Sequence, residues 1–256
     1  MAERATSAPA WLTVDATVDH QIGLLKTGKE AEVLLIERRQ ANGTERILLA
    51  HKRYRPMNVR KGDLEAGGFS KARAFTTDHR YRDGRGRSST RDARAVSGKS
   101  AHGRQVLARE WVAHEVRSLQ LANELGVTVP YVVEADDEGI VMQLIGDEAG
   151  AAPRLVDARL GPADAELAYA QLREELALMT RGGLVHADLS PYNVLWWHDR
   201  VWIIDLPQAV DLTTNPNALD LLHHDVVTLA AWCNRHGAPV DPEAWFAELV
   251  AEAFHS

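Results

Sequence analysis

Cysteine is almost absent: Cys233 stands alone among 256 residues. No intrachain disulfide can form, and no cysteine-based zinc cluster either. Long hydrophobic runs are missing too, with nothing approaching the roughly 18 consecutive apolar residues of a membrane helix. The opening residues lack a basic start followed by an apolar stretch, so a secretory leader is not expected and the expected location is the cytoplasm. No internal repeat is visible, which sets aside solenoid and propeller architectures.

What is present is ordinary in bulk. With 45% hydrophobic residues, 25% charged residues and a net charge of −7, this is the make-up of a globular chain with a substantial core. The average hides a split. Residues 1–104 hold 21 Lys/Arg against 12 Asp/Glu, whereas residues 105–256 hold 8 Arg, no Lys and 24 Asp/Glu. A net acidic chain is a poor generic nucleic-acid binder, yet a basic part facing an acidic part suits a polyanion such as a nucleotide phosphate.

The patterning predicts an α+β chain of two lobes. Residues 1–19 read as a flexible arm and 20–145 as a β-rich lobe. Strands are expected at 22–26, 33–36 and 47–50, the last two separated by the hairpin signal Asn42-Gly43. A basic loop over about 80–104, with seven basic residues between Arg80 and Lys99 and almost no large apolar side chain, is expected to be mobile. One long helix follows over 105–125, with Val106, Trp111, Val112, Val116, Leu119 and Leu121 on its apolar side and Gly126 as its stop. Strands at 131–135 and 140–144 complete this lobe. Residues 146–150 read as a hinge, and 146–256 as a mainly helical lobe. Its helices are expected at 164–181 (with Leu167, Leu172, Leu176 and Met179 buried), 217–236 and 242–254, with two short strands at 194–197 and 201–204.

The stretch His186-Ala187-Asp188-Leu189-Ser190-Pro191-Tyr192-Asn193 concentrates the chemistry. An Asp and an Asn five positions apart, in a loop between helix and strand, can face one reaction centre. Asp188 can accept a hydrogen bond from an attacking hydroxyl, and the Asn193 amide oxygen can ligate a hard cation. Asp205, expected at a strand end twelve residues later, is rigidly placed as a Mg²⁺ ligand must be. Phosphate binding further needs a cation, and Lys52 sits at the end of the third strand, where kinases place theirs. A helix carboxylate would hold that ammonium charged and aimed: Glu115 is the first choice and Glu110 the fallback. Thr27-Gly28-Lys29-Glu30-Ala31, between the first two strands, lets backbone approach phosphates at Gly28, with Thr27 and Lys29 as donors.

These residues carry a family resemblance. The chain resembles the RIO-type atypical serine/threonine protein kinases, with the features of their type-one branch. The similar segments are 27–31, Leu49-Ala50-His51-Lys52-Arg53-Tyr54-Arg55, 111–119, 126–130, 141–146 and Ala152-Pro153-Arg154-Leu155, followed by 184–190, Ile203-Ile204-Asp205-Leu206-Pro207-Gln208 and 217–222, all in the family's order. The resemblance implies a two-lobed protein-kinase-like fold with a reduced C-lobe, and a requirement for ATP and Mg²⁺, with Mn²⁺ as an alternative metal. It assigns Asp188 as the catalytic aspartate, Asn193 and Asp205 as metal ligands, and Lys52 as the ATP-contacting lysine. Gln143 and Ile145 fall at the hinge positions whose backbone holds adenine, and Met142 at the adjoining gatekeeper place. Asp205 is also the residue that would accept phosphate as an aspartyl-phosphate. Two positions depart from the family: Pro191 stands in place of an acidic residue, and Ala113 in place of one of two glutamates.

The leading expectation is therefore a Mg²⁺/ATP-dependent kinase or ATPase acting on Ser/Thr or transiently on Asp205. Pro191 also fits the loop of small-molecule phosphotransferases of the aminoglycoside or choline kinase type. A third reading is a nucleotide-gated assembly factor whose 80–104 segment docks on RNA, because relatives in eukaryotes and archaea are associated with the small ribosomal subunit. His223-His224-Asp225 is expected to pack rather than to bind metal, since neighbouring helix residues point apart. Trp196, Trp197 and Trp202 are expected to fill the lobe core, and His186 to orient the loop.

Overall fold

The computed structural model describes residues 7–14, 16–28, 31–43, 45–54, 101–137 and 139–254. Lys29 and Glu30 of the phosphate-loop reading lie outside them, as does most of the basic segment, 80–100.

Strands β1 (Thr17–Thr27), β2 (Ala31–Gln40) and β3 (Arg46–Tyr54) form an antiparallel meander. β4 (Val132–Ala135) and β5 (Gly139–Gln143) extend it into a five-stranded sheet of order β1-β2-β3-β5-β4. Period-two alternation puts Leu34, Ile36, Leu49 and Val141 in one apolar cluster. Leu12 joins that cluster from a single helical turn, α1 (Trp11–Val14). The stretch expected to be an arm is thus partly built in: α1 docks on the sheet, and β1 begins at Thr17. The reason is tertiary, because Leu12 has an apolar face to cover only once distant strands have paired. Arg38, on β2, is 3% exposed and donates to Asp19 of β1 and Glu134 of β4, so one guanidinium ties both edges of the sheet to its middle.

Helix α2 (Ala101–Glu124) packs against β4 and β5. It begins inside the span expected to be loop, so residues 101–104 are helical. Gly126 follows its end at φ +82°, the left-handed conformation that glycine adopts without strain. The buried stripe runs through Trp111, Val112, Glu115, Leu119 and Ala122; Leu121, expected inside, faces outward. After β5 the chain makes a small hairpin, β6 (Gly146–Asp147) with β7 (Gly150–Ala151), at the expected hinge. Gly146 has φ +147°, and a Cβ there would meet the Gly150 carbonyl at 2.2 Å.

The rest is mainly helical: α3 (Pro162–Arg181), α4 (Ala218–Arg235) and α5 (Pro242–Phe254), with the short strands β8 (Leu184–Val185), β9 (Val194–Trp197), β10 (Arg200–Ile203) and β11 (Val210–Asp211). Pro162 opens α3, where its missing N–H is no loss. Ala165, Ala168, Leu172, Leu176 and Met179 form the buried side of α3, whereas Leu167, expected there, is exposed. The small alanines set that phase, and a reading keyed to large side chains misplaces it. Trp196 is buried in the main core, while Trp197 and Trp202 border a separate cluster of Ile145, Ala152 and Leu195 beside the hinge.

Candidate active site

The segment 186–193 leaves β8 and returns as β9, and its backbone is held at several points. Ala187 takes φ +65°, an unusual conformation for a residue with a side chain. Its N–H and that of Leu189 both donate to the Asp225 carboxylate at 2.8 Å, so one buried acid of α4 brackets the backbone of Asp188. The Asn193 side-chain amide donates to the Asp188 carbonyl at 2.8 Å, which turns its amide oxygen away from that carbonyl. The Ile204 N–H donates to the Asn193 carbonyl at 3.0 Å, and His186 Nε2 lies 3.1 Å from the Ile204 carbonyl. Burial pushes His186 below the usual histidine range, so the ring is neutral at pH 7 and Nε2–H donates to that carbonyl. Asp188, Asn193 and Asp205 are thereby fixed relative to one another through backbone. Asp205 lies two residues past the end of β10, at φ +69°, rather than ending the strand.

Lys52 arrives from the other lobe. Its Nζ donates to Glu115 Oε1 at 2.6 Å, to Glu115 Oε2 at 2.9 Å and to Asp205 Oδ1 at 2.5 Å. Glu110, the fallback partner, is exposed. Burial opposes the ammonium, but the Asp205 and Glu115 charges outweigh it and raise Lys52 above its ordinary value. For Asp205, burial works upward and the Lys52 charge and hydrogen bond reverse it, leaving the carboxylate below its ordinary value. Glu115 is pushed up by burial, opposed by Lys52, and its carboxylate also accepts the Leu206 N–H. His114, the neighbouring residue of α2, places Nε2 2.8 Å from the Ala209 carbonyl, a second tie between this helix and the segment after Asp205.

Lys52, Glu115 and Asp205 together carry a net negative charge, and Asp188 adds another. The oxygen donors of Asn193 and Asp205 beside that excess suit a hard divalent cation. Thr27 ends β1, and the Gly28 N–H donates to the Ala31 carbonyl at 2.8 Å. At the hinge, the Gln143 N–H is taken by the Tyr131 carbonyl and the Ile145 carbonyl by the Ala152 N–H. The apolar cluster of Ile145, Ala152 and Leu195, with Ile204 packed against it, lies at the same place. A separate cavity of about 390 Å³, lined by Glu37, Arg46, Tyr131, Gln143 and Glu148 among others, borders the hinge but none of the acidic residues of the site.

Asp225 is the functional residue missed from sequence. The signal was there: it lies on the face of Leu222, Val226 and Leu229, and an acid on a buried stripe needs donors. Glu175 is a parallel case on α3. Its carboxylate accepts the Thr128 N–H at 2.7 Å and the Thr128 hydroxyl at 2.5 Å, while the Thr128 carbonyl accepts the Ile203 N–H at 2.9 Å.

A family model described as the RIO domain matches residues 71–245. The RIO-type serine/threonine-protein kinase Rio1 of Haloferax volcanii is 30% identical over 242 residues, 94% of this chain and 72% of that protein. Serine/threonine-protein kinase RIO1 of Caenorhabditis elegans is 32% identical over 235 residues, and this chain spans only 41% of its length. Among solved structures, the Rio2 kinase–ADP/Mg²⁺–phosphoaspartate complex from Chaetomium thermophilum superposes with a TM-score of 0.63 at 19% identity, over 92% of this chain and 63% of that one, which shows a shared fold. With a matching domain over most of its length and a Rio1 relative of which it covers 72%, the chain belongs to the RIO family of serine/threonine-protein kinases, on its Rio1 branch.

Proposed function

We propose that this chain binds Mg²⁺·ATP between its lobes and transfers the γ-phosphoryl group to a Ser/Thr hydroxyl, or transiently to Asp205, acting in the cytoplasm. The observation that carries the reading is Lys52 held jointly by Glu115 and Asp205, opposite an Asp188 whose flanking backbone is pinned by Asp225 and Asn193.

In this scheme Thr27, Gly28 and Lys29 cover the phosphates, and Lys52 neutralises them from below. Gln143 and Ile145 hold the adenine edge through backbone groups, over the Leu195 and Ile204 side chains. Asn193 and Asp205 would hold the metal, whose chemistry is to draw charge from the phosphate oxygens. Asp188 accepts the acceptor hydroxyl's proton as the new oxygen–phosphorus bond forms, and the bond to the β–γ bridging oxygen breaks with its electron pair leaving on ADP. Most of the acceleration comes from position and fixed charge, which this backbone-locked arrangement favours. The relatives' names favour a protein acceptor over an aminoglycoside-type alcohol. The RNA reading rests on the 80–104 segment, which lies almost wholly outside the described residues. Among the described residues no helix is long and apolar enough to cross a membrane.

Asp188→Asn should lower phosphoryl transfer from γ-labelled ATP by about 10²–10⁴-fold while ADP affinity stays within about twofold of wild type. Turnover at the wild-type rate would remove Asp188 from the mechanism. Mapping the label distinguishes acceptors, because a phosphate on Asp205 is released by hydroxylamine and one on Ser/Thr is not.

A further inference from the structure

The segment Ala152-Pro153-Arg154-Leu155 is among those that carry the family resemblance, and only its Ala152 joins the apolar cluster beside the hinge. It is stitched to the exit of the catalytic loop. The Trp196 N–H donates to the Pro153 carbonyl at 2.9 Å, the Leu155 N–H to the Val194 carbonyl at 2.9 Å, and the Val156 N–H to the Pro191 carbonyl at 3.2 Å. Arg154 itself pairs with Leu195 as an isolated antiparallel bridge. Leu155, fully buried, and Ala152 anchor the two ends. The Arg154 backbone is therefore locked beside residues 193–195, next to the metal-ligand candidate Asn193.

Its side chain is half-buried and, among the described residues, lies within ion-pair distance of no carboxylate. Two other arginines of this lobe, Arg173 and Arg181, are committed to Glu248 and Glu252. In an antiparallel bridge the two opposed side chains leave on the same face, so the Arg154 side chain shares the face of Leu195, two residues past Asn193. A half-buried guanidinium on a clamped backbone beside Asn193, paired with no acid among the described residues, is available to a ligand.

We propose that Arg154 is the second phosphate-binding cation of this site, entering from the C-lobe as Lys52 enters from the N-lobe, and that it contacts the phosphoryl group in transfer. The inference rests on the phosphotransfer reading given above. During transfer the charge spreads over the three non-bridging oxygens of the γ-phosphorus while the bond to ADP breaks and the bond to the acceptor oxygen forms. A guanidinium fork donates to two such oxygens at once, which an ammonium on a flexible stem does not. If Asp205 is the acceptor, the same fork offsets the charge of the aspartyl-phosphate beside it.

The test separates the γ-position from the rest of the nucleotide. Affinities of wild type, Arg154→Met and Arg154→Lys for Mg²⁺·ADP and for Mg²⁺·ADP–beryllium fluoride are measured by competition with a fluorescent ADP, with thermal midpoints recorded in parallel. Arg154→Met should bind ADP within about twofold of wild type but lose at least about tenfold in affinity for the beryllium fluoride complex. Its turnover should fall by about 10²–10³-fold, with Arg154→Lys recovering part of both losses. Equal loss for both ligands, with a lowered thermal midpoint, would show a packing role and overturn the inference. Unchanged affinity for both would overturn it as well. A wild-type protein that binds ADP and responds to Asp188→Asn, while Arg154→Met behaves as wild type, refutes this inference alone. A wild type that binds neither ligand refutes the phosphotransfer reading and the inference with it.

Discussion

Lys52 shows how single residues keep their charge where burial opposes it. An ammonium this deeply placed would lose its proton if it stood alone, and it stays charged because Glu115 and Asp205 both reach it. His186 goes the other way: burial holds it neutral and its hydrogen bond to the Ile204 carbonyl fits that state. This has a consequence for acid stability. In the unfolded chain a histidine takes up its proton near pH ~6.5, while the folded chain resists until a lower pH. Between those values the unfolded state binds more protons, so stability is present above the unfolded value and falls as the pH drops below it. Urea titrations from pH 7 to 5 should show this fall, and His186→Asn should flatten it by up to about 1.4 kcal/mol per pH unit. An unchanged slope would mean that His186 takes up its proton equally in the folded and unfolded chains, and a steeper one that the fold holds it protonated. At this scale residue type alone singles out Asp188, Asn193 and Asp205 as candidates, and the structure ties them to one another through backbone. The partner of Lys52 is read with Glu115 first and Glu110 as fallback, and the phase of α2 settles it on Glu115.

Helices and strands carry a second kind of information, namely which side chains share a face. On α4 the face of Leu222, Val226 and Leu229 also carries Asp225, and the two backbone N–H groups that it accepts belong to the segment holding Asp188. Asp225→Ala should leave both donors buried and unpaired, at about 1–3 kcal/mol each, and should lower turnover more than ADP affinity. Denaturant unfolding together with a kcat and KM comparison checks this; equal effects on both constants would indicate general loosening of the lobe. Element existence and order were readable from periodicity and from Gly126, Pro162 and the turn residues. Phase was less so: Leu121 and Leu167 face solvent because Ala122, Ala165 and Ala168 pack inward. Alanine allows close approach between elements, and apolar periodicity alone does not reveal where that approach occurs.

At the scale of the whole molecule the lobes are joined through the site itself. Lys52–Asp205, His114–Ala209 and the Glu175–Thr128–Ile203 chain each link sequence-distant elements beside the hinge. A ligand bound there should stabilise both lobes together. Saturating ADP with Mg²⁺ at about 100 times its Kd should add about 2.7 kcal/mol to unfolding stability, seen as a raised thermal midpoint. Asn193→Ala should keep the ADP contribution and lose the part that depends on Mg²⁺; a shift unaffected by the substitution would exclude Asn193 as a ligand. The sequence by itself determined the ordered set of chemical groups, the two-lobed α+β plan and the uneven distribution of charge, because residue type, spacing and local periodicity are properties of neighbours along the chain. Only the tertiary structure decided that Glu115 rather than Glu110 holds Lys52, that Asp225 braces Asp188, that Leu12 docks on the sheet and that Arg154 is clamped beside Asn193. Those contacts join residues far apart in sequence, and their free energy exists only after helix phase, strand register and backbone closure have brought them within reach.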